Sequence, residues 1–238
     1  MIEPNTTYSN YISRQPNGFG RRIVITWHRN MLNEFQKKLS IDTGSMSLLE
    51  IGPGYGYLAD VLRERGHYYR FDDIADPVIR LMREKGFELV ESHYERFDIV
   101  WLSHVLEHSV DWVSAREMLI GLKSRLTTDS YLVIIAPDYL DWGKKFYDVD
   151  ATHGYPTTLR TVTQLVRDIE LEVVWSGYHR GAKTSLIWRF VFGLLSLIPN
   201  TVGKLVTSPV RRRFGENLLF SLKTVFGWRQ IMVVARLK

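Results

Sequence analysis

The stretch Leu48 to Gly56, LLEIGPGYG, constrains this chain more than any other. Leu48, Leu49 and Ile51 suit a short buried strand, and Gly52, Gly54 and Gly56 then allow a sharp turn and a close backbone approach to a ligand, with no Cβ in the way. Tyr57 to Arg65 follows as a helix, with Leu58, Ala59, Val61 and Leu62 on its apolar side and Gly66 at its C-terminal cap. A strand, a glycine loop and a helix in this order make a nucleotide-type turn. The dinucleotide fingerprint G-x-G-x-x-G would require glycine at position 57 or 59, where Tyr57 and Ala59 stand. That disfavours a nicotinamide-dependent oxidoreductase.

The same alternation of strand and helix continues downstream. His67 to Phe71 reads as a second strand ending in Asp72 and Asp73. Asp76 and Pro77 read as an N-cap and a first helical position, opening a helix that reaches Lys85 and stops at Gly86. Phe87 to Val90 is a short third strand, and Phe97 to Leu102, FDIVWL, is a fourth of the apolar kind buried on both faces of a parallel sheet. Ser103-His104-Val105-Leu106-Glu107-His108 follows it directly. Asp111 caps a further helix, Tyr131 to Ala136 is strand five, Thr158 caps another helix, and Leu171 to Tyr178 and Gln230 to Leu237 are strands six and seven. Upstream, residues 1 to 19 read as a polar arm, and Arg21 to Leu39 as an amphipathic helix lying on the core.

Two runs carry a family resemblance. The pattern E-x-G-x-G-x-G from Glu50 to Gly56 resembles the first motif of class I S-adenosylmethionine-dependent methyltransferases. The FDIV…HVLEH run resembles the fourth-strand motif of the subgroup containing the quinone and small-molecule methyltransferases. The resemblance spans Leu48 to Val174 and the final strand. It implies an α/β fold, a doubly wound Rossmann-like seven-stranded sheet whose last strand inserts antiparallel between strands five and six. The corresponding division is an N-terminal arm and helix (1–47), a cofactor-binding core (48–179), an apolar and basic helical insertion (180–228) and the last core strand (229–238). It further implies S-adenosyl-L-methionine as cofactor. Glu50, Gly52, Gly54 and Gly56 would wrap its methionine part, Asp73 would hold the ribose with Asp72 as the alternative register, and Ser103 and His104 would border the pocket.

Methyl transfer from a sulfonium is an in-line displacement that needs alignment, exclusion of water and, for a hydroxyl acceptor, a proton acceptor. It requires no metal, and none is assigned. The candidate bases are His108, His153 and His104. His153 lies in the aromatic and acidic stretch Pro137 to Tyr155, which falls beyond the carboxyl end of strand five and reads as part of the acceptor's wall. The resulting expectation is O-methylation of a glycan, a lipid-linked molecule or a small phenolic or quinone-like acceptor. The alternative is a methyltransferase fold that serves as a binding or scaffolding subunit without catalysis.

Composition adds two bounds. Cysteine is absent, which excludes disulfides, thiolate metal sites and cysteine nucleophiles and suits a cytoplasmic home. The formal net charge of +5 is uneven: residues 182 to 238 carry +9, so the remainder carries −4. No nucleic-acid-binding signature accompanies this charge, which argues against nucleic acid as a partner. Within the basic part, Leu186 to Ile198 is apolar but too short to cross a bilayer, and Arg211 to Arg213 precede a second apolar piece at 218 to 228. The expectation is that 186–228 meets an anionic membrane surface, at the inner face of the membrane, with an active-site lid or a homodimer interface as the other uses of the same residues.

Overall fold

A computed structural model of the chain describes residues 18–41, 46–92, 94–179 and 229–238. The N-terminal arm and the expected insertion at 180–228 lie outside the described residues. The strands are β1 (Ser47–Ile51), β2 (Tyr68–Asp72), β3 (Ile99–Ser103), β4 (Tyr131–Pro137), β5 (Leu171–His179) and β6 (Gln230–Leu237). They form one sheet in the order β2-β1-β3-β4-β6-β5. The first four pair in parallel, and β6 runs antiparallel between β4 and β5, as the resemblance implies.

The sheet has six strands among the described residues, not the seven expected. Phe87 to Val90 makes only a single bridge, Phe71 to Leu89, with Phe71 N donating to Glu88 O at 3.2 Å and Val90 N to Phe71 O at 2.9 Å. Phe87 is the one buried side chain in that run, so the run lies along the edge of β2 with one apolar anchor and no second row of pairing.

Helices cover both faces of the sheet. On one side α1 (Gly18–Leu39), α2 (Tyr57–Glu64) and α3 (Asp76–Glu84) pack Trp27, Met31, Phe35, Leu58, Leu62, Val78 and Met82 against Leu48, Phe71 and Trp101. On the other, α4 (Trp112–Lys123) and α7 (Leu159–Asp168) pack Ala115, Leu119, Val162, Leu165 and Val166 against Leu49, Val100, Leu132 and Val233. The two short helices between them, α5 (Tyr139–Trp142) and α6 (Lys145–Val149), follow the carboxyl end of β4.

Local signals account for most of the helix starts. Asp111 Oδ1 accepts from Ser114 N at 2.8 Å, and Thr158 and Thr161 form a reciprocal capping box. Asp76 is a correction, because α3 is capped by Ala75 and Asp76 is already helical. The cause lies upstream: Asp73 Oδ1 accepts from Ala75 N at 2.8 Å, and this turn starts the helix one residue early.

The open end of the sheet is where the chain switches direction across β1 and β3, the position at which ligands bind in doubly wound folds. Gln230 at the start of β6 pairs with both Pro137 and His179, the last residues of β4 and β5. The residues that flank 180–228 therefore sit at this same end.

Candidate functional site

The three loop glycines all take left-handed backbone angles, with φ of 66° at Gly52, 53° at Gly54 and 70° at Gly56. At two of them space is closed as well: a Cβ on Gly52 would lie 2.6 Å from Val105 Cγ2, and one on Gly56 2.6 Å from Met82 Sδ. Glu50, on β1 just before this loop, is buried and accepts from the Tyr69 hydroxyl at 2.6 Å. Asp72 ends β2, and its carbonyl accepts from Gly52 N at 2.9 Å. Strand alternation continued from Tyr69 and Phe71 puts Asp73 on the face that carries Glu50, and Asp72 on the opposite one. The charge on Asp73 is felt at Glu50. Left-handed glycines, a buried acid and a second acid beyond the next strand together make a cradle for a ligand carrying both a cation and a diol.

A clamp holds the cradle from below. Lys85 Nζ donates to Tyr55 O at 2.9 Å, Gly56 O at 3.1 Å and Asp60 Oδ2 at 3.0 Å. Asp60 is buried and also receives Arg21 at 2.9 Å and Arg63 at 3.2 Å. Sequence reading passed over Lys85 because its partners lie 25 to 30 residues away, and at α3's end it reads as an ordinary solvated helix terminus. Lys85→Met keeps the aliphatic stem near Phe87 while removing all three bonds. It should lower stability by about 1–3 kcal/mol and weaken cofactor binding about tenfold. Denaturant titration and calorimetry check both, and a variant with unchanged affinity would show that the glycines hold their shape unaided.

Burial drives the Glu50 carboxyl up to about 7 from its ordinary 4.5, against the Tyr69 hydrogen bond and the Lys85 charge. The same effect raises Asp73 to about 6 from 3.8. Below pH ~4.5 Glu50 is protonated in both the folded and the unfolded chain, so it contributes no difference. Between about 4.5 and 7 the unfolded chain releases the proton first, and stability falls as pH rises, by ~3 kcal/mol in total. Glu50→Gln should therefore stabilise the ligand-free protein at pH 8 and hardly at all at pH 4.5. Denaturation of both forms at the two pH values checks the sign, and a variant less stable than wild type at pH 8 would contradict it.

A second group of side chains lies beyond β3. His104 sits at φ 58°, with its N–H donating to Ile135 O at 2.9 Å. Its Nδ1 is 3.2 Å from Glu107 Oε1, and Glu107 is wholly buried. Burial alone would raise that carboxyl's pKa, but His104 beside it, with His108 and His153, outweighs this and holds it below the usual range. His108 and His153 meet edge to face with ring centroids 4.9 Å apart. Burial pushes His153 below its ordinary pKa.

Gly154 makes this approach feasible. Gly154 N and Tyr155 N both donate to Glu107 O, at 2.9 and 3.1 Å, and a Cβ on Gly154 would lie 2.5 Å from Ser109 O. The three candidate histidines are thus brought together, and the wall expected over Pro137 to Tyr155 supplies Trp142, 6.5 Å from the His104 ring, and Phe146, 4.5 Å from that of His153. Ser103 ends β3, partly buried, at the same carboxyl edge. Sequence reading quoted Glu107 within its motif but gave it no role, and it passed over His28 on α1, which burial and then His104 hold down to about 3. Neither has a local signal, since each depends on what packs against it.

An open α/β sheet with its last strand reversed, a left-handed glycine loop after β1, a buried acid on β1 and a second acid just past β2 match the class I methyltransferase type of fold. A family model described as a methyltransferase domain matches residues 27–175, and the chain belongs to that family. No curated protein matches it by sequence. Among solved structures it is similar to a SAM-dependent methyltransferase from Archaeoglobus fulgidus, at 21% identity and a TM-score of 0.58 over 88% of this chain and 94% of that one. It is similar to magnesium protoporphyrin IX methyltransferase from Synechocystis PCC 6803 with bound SAH, at 15% identity and 0.56 over 98% and 94%. It is also similar to the plantazolicin methyltransferase in complex with SAH, at 14% identity and 0.58 over 100% and 91%. At these identities the likeness is one of fold. Among the described residues no helix is long and apolar enough to cross a membrane.

Proposed function

We propose that this protein is an S-adenosylmethionine-dependent methyltransferase that methylates an oxygen of a glycan, lipid-linked or small phenolic acceptor. The observation that carries the reading is the left-handed loop at Gly52, Gly54 and Gly56 with Glu50 buried before it and Asp73 beyond the adjacent strand. S-adenosylmethionine supplies an electrophilic methyl group on a sulfonium. The chain does the rest. Its glycine loop admits the ligand's backbone-close approach, Glu50 offers a carboxylate to the ammonium, and Asp73 accepts hydrogen bonds from the ribose hydroxyls. Trp142 and Phe146 keep water from the acceptor's side, and His108 or His153 takes the acceptor's proton.

Since burial holds Glu50 at about 7 and Asp73 at about 6 in the ligand-free chain, a cationic ligand draws their protons off. Three observations favour a lipid-linked acceptor. The flanks of 180–228 lie at this end of the sheet, that segment is strongly basic and apolar, and Val110 and Leu140, in the segments that follow the carboxyl ends of β3 and β4, are exposed. The experiment is to incubate the full chain with methyl-labelled S-adenosylmethionine and fractionated cell extract containing membranes. Label entering the lipid or glycan pool as a methyl ether or ester is the expected result. Label confined to amines or to protein would overturn the oxygen assignment, and no transfer into any fraction would favour the scaffolding alternative.

A further inference from the structure

We propose that Glu107, His108 and His153 form a divalent-cation site of the nitrogen and oxygen kind, a seat for zinc, manganese or ferrous iron beside the methyl-transfer pocket. One ligand atom from each of the three lies within 4.8 Å of the others. A cation held at about 2.1 Å from each would draw them together by roughly an ångström, a side-chain adjustment.

The hydrogen-bonding around the imidazoles points to metal ligands. Thr152 Oγ1 gives its hydrogen to Asp150 Oδ1 at 2.7 Å, so it can only accept from His108 Nδ1, 2.7 Å away. His153 Nδ1 faces Phe146 O at 2.5 Å, an acceptor only, so it too carries the hydrogen. Both rings are thereby fixed in the tautomer that leaves Nε2 with its lone pair. An outer acceptor that pins the ring and frees the opposite nitrogen is the usual support of a metal-bound histidine.

The carboxylate gives the second, independent observation. Glu107 is wholly buried, and neither of its oxygens has a well-aligned hydrogen-bond donor among the described residues. Its closest neighbour is His104 Nδ1 at 3.2 Å. His104 serves Oε1 alone, which leaves Oε2 buried with no donor among the described residues, a costly state that a coordinated metal would relieve. Two imidazoles and one carboxylate from a 3-10 turn and a neighbouring loop leave coordination positions open, the arrangement of catalytic rather than structural centres. A cation there would occupy the lone pairs that His108 and His153 otherwise offer to the acceptor's proton, and in place of that base it would bind the acceptor hydroxyl and lower its pKa, which selects acceptors with a chelating oxygen pair such as a vicinal diol. That use rests on the methyltransferase reading; binding of the cation does not.

The test measures metal and S-adenosylhomocysteine binding on the same samples of the full chain. After chelation, the protein is titrated with zinc, manganese, ferrous and magnesium salts by calorimetry, and its metal content is read by mass spectrometry. About one equivalent of a transition ion is expected, bound about 10- to 100-fold more weakly by His108→Ala and by His153→Ala, with S-adenosylhomocysteine still bound. Glu107→Gln should behave likewise. If that buried variant does not fold, the two histidine variants, at only partly buried positions, carry the test. Wild-type protein that binds S-adenosylhomocysteine but takes up none of the ions would overturn the site, as would undiminished uptake in the double histidine variant. Metal uptake without S-adenosylhomocysteine binding would leave the cation site standing and count against the methyltransferase reading.

Discussion

Gly52→Ala is expected to cost the protein at least a hundredfold in S-adenosylmethionine affinity and about 2–4 kcal/mol of stability. Two effects add. An alanine at φ 66° carries the left-handed penalty of ~1–2 kcal/mol, and its Cβ would stand 2.6 Å from Val105 Cγ2. Val105 is β-branched and stiff at χ1, so it cannot swing away, and the loop must move instead. Gly52 N would then lose its bond to Asp72 O, which ties the loop to the end of β2. The double variant Gly52→Ala/Val105→Ala separates the two contributions: it should recover the steric part and keep the backbone strain. Calorimetric binding and denaturant titration of the two variants check this, and a Gly52→Ala protein that binds normally would show that the loop adopts another shape with ligand.

The second large effect is at Asp73. Asp73→Ala should weaken S-adenosylmethionine binding by about 1.5–3 kcal/mol, tenfold to over a hundredfold, through the lost charge-assisted bonds to the ribose. Asp72→Ala should do much less, because Asp72 faces away from Glu50 and acts on the loop through its carbonyl. Asp73 also starts α3 through Ala75 N, so alanine removes a turn as well as a ligand. Asp73→Asn keeps that turn, and its affinity loss reports the carboxylate alone. Equal losses at the two aspartates would reverse the register assigned here.

How far the sequence reveals this molecule depends on how local each signal is. The glycine loop and the caps at Asp111 and Thr158 are set by residues a few positions apart and appear where the pattern puts them, while β2, β3, β4 and β5 each end one residue later than the pattern suggests. Phe87 to Val90 looks like a strand by composition, yet pairing needs a partner edge along its length, and only Leu89 finds one. Lys85 and Glu107 are charged side chains whose roles follow from tertiary neighbours: the glycine-loop carbonyls for one, three histidines for the other. His153 stands 45 positions from His108, and only Gly154 lying flat against the Ser109 backbone brings the rings into contact.

The central claim is that the cradle formed by Glu50, the glycine loop and Asp73 holds S-adenosylmethionine. The most direct measurement is calorimetric titration of S-adenosylmethionine into the full chain at pH 6 and pH 8, in buffers of different ionisation enthalpy. One-to-one binding in about the micromolar range is expected, tighter at pH 8, with proton release between the two values as Glu50 and Asp73 ionise against the ligand. Glu50→Gln should bind more weakly and release fewer protons. Folded protein that gives no binding heat at either pH, or binding that is independent of pH and of Glu50, would contradict the account.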